Sequence, residues 1–288
     1  MRTPEEAPVV VGVNGTAAAL AAVRLAAREG VARDRHLRVV HVFTWPDPHP
    51  HVKQRDYASA RRDAAGMVRA AVGTARGSTP GVRVTGHVID GLPIRVLLQL
   101  SRRAEVLVLG HNDLAVEPRL PIDSVLLQTV SRARCPVAVA RGPRPPAGPL
   151  LAAVDGSPAS THALRHTAFE AERRGVAVEV AHVVERPGPA AEAAGRRLLE
   201  AAVAAVPELP APRIRLLIGD PATALTRASR HARMVIVGPR GAGGSTLLGS
   251  VAQHLLRQCA CPTVFVHGTT AGEVPPPGSV HSAGALAR

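Results

Sequence analysis

Residues 238–250 read GPRGAGGSTLLGS and follow directly on the apolar run MVIV, so a glycine-rich loop leaves what looks like a β-strand. Two chemistries fit this composition: a main-chain cradle for phosphates, or a flexible connection. Gly238 and Gly241 can adopt positive φ and let an anion approach the backbone closely. Gly249 and Ser250 would open the next helix, whose unpaired amides and positive dipole end suit a phosphate, with the Ser250 hydroxyl as a further donor. Two standard motifs are excluded. A Walker loop needs Gly-Lys-Ser/Thr, and Lys53 is the only lysine in the chain. The dinucleotide pattern GxGxxG is nearly met from Gly241, but Thr246 holds the third glycine position.

The other reactive side chains favour structural readings. Asp155-Gly156-Ser157 has no base marked for its serine and fits a turn with a helix cap. His41 and His182 stand at equivalent strand ends and read as structural histidines. Cys259 and Cys261 resemble half a metal site, but no second pair exists, and Cys135 and Cys261 both precede proline at a helix-to-strand junction, which favours buried packing. Glu170, Glu172 and Glu185 have no acidic partner at a recognisable spacing and are expected on a solvated face. No catalytic and no metal-ligating residue is therefore assigned.

The elements that must position the loop come from a repeat. VVVGVNGT at 9–16 matches LLAAVDGS at 150–157, setting Asn14 opposite Asp155, and His41 pairs with His182 at the same offset of 141. GLPIRVLLQLSRRAEVLVLG at 91–110 matches GDPATALTRASRHARMVIVG at 219–238 at 128, and the stretch from 123 to 142 matches 249–268 at 126. Offsets that change only between blocks indicate two copies differing by loop deletions. In the second copy strands are expected near 150–154, 177–184, 213–218, 233–237 and 262–267, and helices over 158–174, 190–205, 221–231 and 249–259. That alternation predicts an α/β fold: in each copy a five-stranded parallel sheet flanked by helices. With strand order 3-2-1-4-5, strands one and four meet where the winding reverses, which brings VDGS and the glycine loop together at the carboxyl edge. The expected domains are 1–144 and 145–268, joined by a stiff linker over 141–149, with a disordered tail over 269–288.

Composition bounds the function classes. The 288 residues are 46% hydrophobic and 20% charged, as in a globular protein, but only 2% aromatic, so Ala, Val and Leu must build the core. No run approaches the ~18 apolar residues of a membrane span. The start MRTPEEAPVV lacks a signal-peptide core, and three cysteines make no disulfide framework, so a cytoplasmic protein is expected. The net charge of +13 is spread as arginine along the chain, with only five aromatic residues for stacking, so a nucleic-acid partner is not expected.

The order Gly238-x2-Gly241, a spacer, Gly249-Ser250-Val, then Cys-Pro before a last strand, resembles the universal stress protein family. VDGS and the HV closing strand two resemble it as well, and the likeness covers about 8–142 and 150–268. It implies two Rossmann-like (adenine nucleotide alpha hydrolase-like) domains pairing through their last strands as an intramolecular pseudo-dimer, with a homodimer as a further assembly open to such a chain. It also implies ATP or AMP binding in a subset of members, with Mg accompanying ATP. Carried over, Asp155 holds the ribose or adenine side, Val183 lines the adenine pocket, Gly238, Gly241, Gly249 and Ser250 take the phosphates, and Val237 joins them as a cofactor-binding residue.

This chain departs from the family signature G-x2-G-x9-G-S/T in both copies. Seven residues, not nine, separate Gly241 from Gly249. The first copy keeps nine but carries Asp113 and Asp123 in place of glycines and Asn14 in place of the strand-one Asp. Its site, at Asn14, Val42, Gly110 and Ser124, is expected to be degenerate and closed by its own side chain. The leading expectation is stress-associated adenine nucleotide binding or sensing without a dedicated catalytic base. The alternatives are a nucleotide-free scaffold acting through protein contacts, and slow ATP hydrolysis or adenylyl transfer.

Overall fold

The computed structural model describes residues 7–45, 56–111, 124–142, 147–241 and 247–268. Short runs rich in branched apolar residues form the strands, the inner ones buried on both faces and the edge ones partly exposed. In the first half these are β1 (Val9–Gly12), β2 (Leu37–Phe43), β3 (Val84–Asp90), β4 (Val106–Gly110) and β5 (Val137–Ala140). Helices α1 (Ala17–Ala32), α2 (Tyr57–Ser78), α3 (Pro93–Leu100) and α4 (Val125–Arg132) connect them. The second half repeats the series as β6 (Leu150–Ala153), α5 (Pro158–Arg174), β7 (Val178–Val184), α6 (Pro189–Ala204), β8 (Arg213–Ile218), α7 (Pro221–Ala228), β9 (Met234–Val237), α8 (Ser250–Gln258) and β10 (Thr263–Phe265). Differences from the expected bounds are confined to ends. A 3-10 turn at Ser229–His231 completes the helix expected over 221–231, and β10 keeps only three residues.

The strands run β3-β2-β1-β4-β5-β10-β9-β6-β7-β8 in one ten-stranded sheet. Each half thus has the expected order 3-2-1-4-5, parallel throughout. The halves join where β5 meets β10 antiparallel, with Val137 opposite Phe265 and Val139 opposite Thr263. Alternating residues feed two cores that both cross this joint. Val9, Val11, Ala138, Val264 and Ile236 face α1 and α5, whereas Val10, Leu107, Val137, Phe265 and Val235 face α4 and α8. Alanines such as Ala22 and Ala26 let α1 lie close against the sheet in place of aromatic filling.

The expectation of a solvated Glu170 is corrected. It is buried, and it bonds Arg33 of the other half at 2.6 Å together with Arg173 and Arg174. A sequence pattern within α5 offers Arg173 and Arg174 at helical spacing but cannot show the burial, because Arg33, just past the end of α1, comes from the other half. Glu172 and Glu185 are exposed as expected.

Candidate functional site

Helix starts set the loops at the carboxyl edge of the second half. Ser157 caps α5 by accepting from the amide of Ser160 at 3.2 Å, and Asp155 Oδ1 accepts from the Ser157 amide (3.0 Å) and hydroxyl (2.6 Å). The serine therefore serves as a turn and cap residue, as its setting suggested. His182 Nδ1 bonds the Val154 carbonyl at 2.9 Å, and His41 bonds Val13 at the same distance, so both histidines brace the loop after the first strand of their half.

Strands β6 and β9 are hydrogen-bonded neighbours, and their carboxyl ends frame a cavity of about 600 Å³. Asp155, Val183, Val237, Gly238, Gly241, Gly249 and Ser250 all line it, so the residues named from sequence converge on one place. Arg240, Glu185 and Ser160 line it too, and sequence reasoning missed them. Arg240 stood inside the quoted loop; its position between Gly238 and Gly241 was the available signal. It contributes the only guanidinium among the described lining residues.

The glycines act differently from expectation. Gly238 and Gly241 are not among the glycines with positive φ, and Gly249 has φ −62°. Their requirement is steric. A Cβ on Gly238 would stand 2.8 Å from Ala159 Cβ at the start of α5, and one on Gly241 would stand 2.5 Å from Asp155 Oδ2. The described ends of the loop meet: the Gly249 amide donates to the Pro239 carbonyl at 2.9 Å. Residues 242–246 of that spacer lie outside the described residues. Gly249 caps α8 with no side-chain hydrogen bond, so the first-turn amides of α8 are not satisfied by a capping side chain.

The equivalent edge of the first half holds a cavity of about 490 Å³, lined by Asn14, Val42, Gly110 and Ser124 among others. Here Ser124 caps α4 through a hydrogen bond from Leu127, at 3.5 Å, where the second half has only Gly249. Asn14 Oδ1 accepts from the Thr16 hydroxyl at 2.8 Å. No Arg, Lys, Asp or Glu occurs among the described lining residues. Asp113 and Asp123, which were expected to close this site, lie outside the described residues, as does the tail over 269–288. The three cysteines are free and buried. Among the described residues no group of three or more His, Cys, Asp or Glu could hold a metal, and no helix is long and apolar enough to cross a membrane.

Comparison with known proteins agrees with this architecture. A universal stress protein of Mycobacterium tuberculosis is 33% identical over 285 residues, covering 89% of this chain and 95% of that protein. One from Mycolicibacterium smegmatis is 30% identical over 291 residues, covering 92% and 99%. The crystal structure of a universal stress protein from Archaeoglobus fulgidus shares the fold with a TM-score of 0.68 at 16% identity, covering 90% of this chain and 98% of that one. The description that matches residues 7–141 and again 147–267 is "Universal stress protein family". With both halves matched and the same sheet order in each, the chain belongs to the universal stress protein family.

Proposed function

We propose that this chain is a stress-associated adenine nucleotide-binding or sensing protein, and that the second half, taken as domain 145–268, holds ATP or AMP in the cavity between β6 and β9. The observation that carries this reading is the convergence of Asp155, the loop glycines, Arg240 and the start of α8, which has no side-chain cap, on a cavity of about 600 Å³. Ala181, Val183, Pro221 and Leu225 supply an apolar wall for a base. Asp155 can accept ribose hydroxyls, and the Gly241 and Ser250 edge with Arg240 can take phosphates through main-chain amides and one guanidinium. Mg would arrive on the phosphates of ATP, since the described residues offer no ligand cluster of their own. The first half, domain 1–144, caps α4 with Ser124, which favours a degenerate site. The last strands are already paired with each other, so a homodimer would have to use another face.

Thermal unfolding with and without ligand tests the reading. Bound ligand adds RT ln(1 + [L]/Kd), about 2.7 kcal/mol at one hundred times Kd. AMP and ATP are expected to raise Tm, and Arg240→Ala to weaken the ATP effect more than any effect of adenosine. An unchanged Tm at millimolar ATP would favour the nucleotide-free scaffold.

A further inference from the structure

Cys259 ends α8 and Cys261 leads through Pro262 into β10, with their Sγ atoms 3.9 Å apart and both side chains buried. Ala260 between them is exposed, and its amide donates to Ser229 Oγ at 2.9 Å, which holds the tripeptide in place. We propose that Cys259 and Cys261 are an oxidisable dithiol that closes to an intrachain disulfide on reaction with a hydroperoxide.

Geometry comes first. Cys259 has φ −58° and ψ 137°, and the chain then bends at Ala260 and Cys261, which sets the two thiols beside each other. The sulfurs need to close only from 3.9 Å to about 2.05 Å. The surroundings favour a thiolate. Thr263 Oγ1 is fully buried beside Cys259, and Arg141 reaches across from the first half. Its Nη2 donates to the carbonyls of Leu255 (3.2 Å) and Leu256 at the end of α8, while its Nε has no partner. The Cys261 S–H, then the hydroxyls of Thr263 and Ser229, draw the Cys259 thiol below its ordinary range against the effect of burial, while Cys261 is pushed up and keeps its proton. One sulfur is thus set as nucleophile and the other as resolving thiol.

The first half provides an internal control. Cys135 occupies the place of Cys261, but Ala133 stands where Cys259 would be, and burial pushes the lone thiol up to about 12. That cysteine has neither a partner nor a favoured thiolate.

The reaction balances with a hydroperoxide as the only co-reactant. The Cys259 thiolate attacks a peroxide oxygen, the O–O bond breaks, and water or an alcohol leaves with the proton that the thiol gave up, leaving a sulfenic acid. Cys261 then attacks the Cys259 sulfur, the S–O bond breaks, and water departs with the Cys261 proton. Two thiols and one peroxide give one disulfide, one alcohol or water, and one water, with two electrons passing to the peroxide. Access for the peroxide requires a local opening at the end of α8, beside exposed Ala260.

The test exposes the reduced full chain to hydrogen peroxide, denatures it, labels with iodoacetamide and counts labels by intact mass. Three labels are expected before oxidation and one afterwards, on Cys135, with dithiothreitol restoring all three. The Cys259–Cys261 peptide is expected to lose about 2 Da, the two thiol hydrogens. In Cys135→Ala the label count falls from two to none, and Cys259→Ala forms no intrachain bond. Substitution in a buried site can loosen the fold, so the wild-type count decides alone. Three labels surviving peroxide, Cys135 losing its label first, or a bond between two chains would each overturn the proposal.

Discussion

Arg33 Nη2 stands 2.6 Å from Glu170 Oε1, although 137 residues separate them in the chain. The contact has a symmetric counterpart, Arg174 Nη2 to Glu29 Oε2, also at 2.6 Å. Each arginine pairs in addition with the glutamate four residues earlier on its own helix. The 141-residue offset of the repeat relates Glu29 to Glu170 and Arg33 to Arg174, so one helix-end pair, duplicated, interlocks with its own copy. Arg173 and His166 join on one side only.

Removing one member should be costly, because the others stay buried without a counter-charge. Glu170→Ala is expected to destabilise the chain by about 3–5 kcal/mol, measured by urea unfolding. Glu172→Ala, on the exposed side of α5, should change stability by less than about 0.5 kcal/mol. A loss below about 1 kcal/mol for Glu170→Ala would mean that the arginines find other partners.

The same cluster makes stability sensitive to acid. Burial lowers the His166 pKa to about 4 despite Glu170 beside it, with Arg33, Arg173 and Arg174 adding to the fall. Burial alone would raise Glu170, but Arg33, His166 and the other two arginines hold it well below its ordinary value. Between the ordinary histidine pKa and about 4 the unfolded chain binds the extra proton, so stability falls as pH falls through that window. Glu170 adds a second loss at lower pH, as acid reaches its depressed pKa. From pH 7 to pH 5 the His166 contribution amounts to about 2 kcal/mol. In His166→Gln the loss over that interval should shrink accordingly. His267, also lowered by burial, will keep it from vanishing. Urea midpoints at the two pH values report this; an equal loss in variant and wild type would contradict it.

Two glycines in the first half should respond in opposite directions to alanine. Gly73 lies within α2 and faces open space, so Gly73→Ala should stabilise by about 0.5–1 kcal/mol. A Cβ on Gly110 would stand 2.5 Å from the Ala18 carbonyl carbon, so Gly110→Ala should cost about 1–3 kcal/mol by forcing α1 off the sheet. Thermal melts of both variants check the pair, and a loss in Gly73→Ala would contradict the open-space reading.

The alternation of apolar runs and helix-period segments made both halves and their parallel sheets legible, whereas the order 3-2-1-4-5 follows from the doubly wound pattern and not from the alternation itself. The eleven residues named for the two sites all line the two cavities, since strand order alone fixes which loops meet. The burial of Glu170 was missed because, besides Arg173 and Arg174 on its own helix, it meets Arg33 of the other copy, a relation no pattern within α5 encodes. Conformational freedom was the wrong reason for the loop glycines: Gly238 makes room for Ala159 and Gly241 for Asp155, contacts visible only once α5 and the loop are placed. The closeness of the Cys259 and Cys261 sulfurs likewise depends on the bend at Ala260 and Cys261 between α8 and β10.

Titration calorimetry of the full chain with AMP and ATP tests the central claim most directly. The account predicts one saturable site per chain, abolished or weakened at least about tenfold in Asp155→Ala, a loss of about 1.4 kcal/mol or more in binding free energy. Binding should persist in Asn14→Ala. Absence of saturable heat with millimolar nucleotide, or a site that survives Asp155→Ala and disappears in Asn14→Ala, would contradict it.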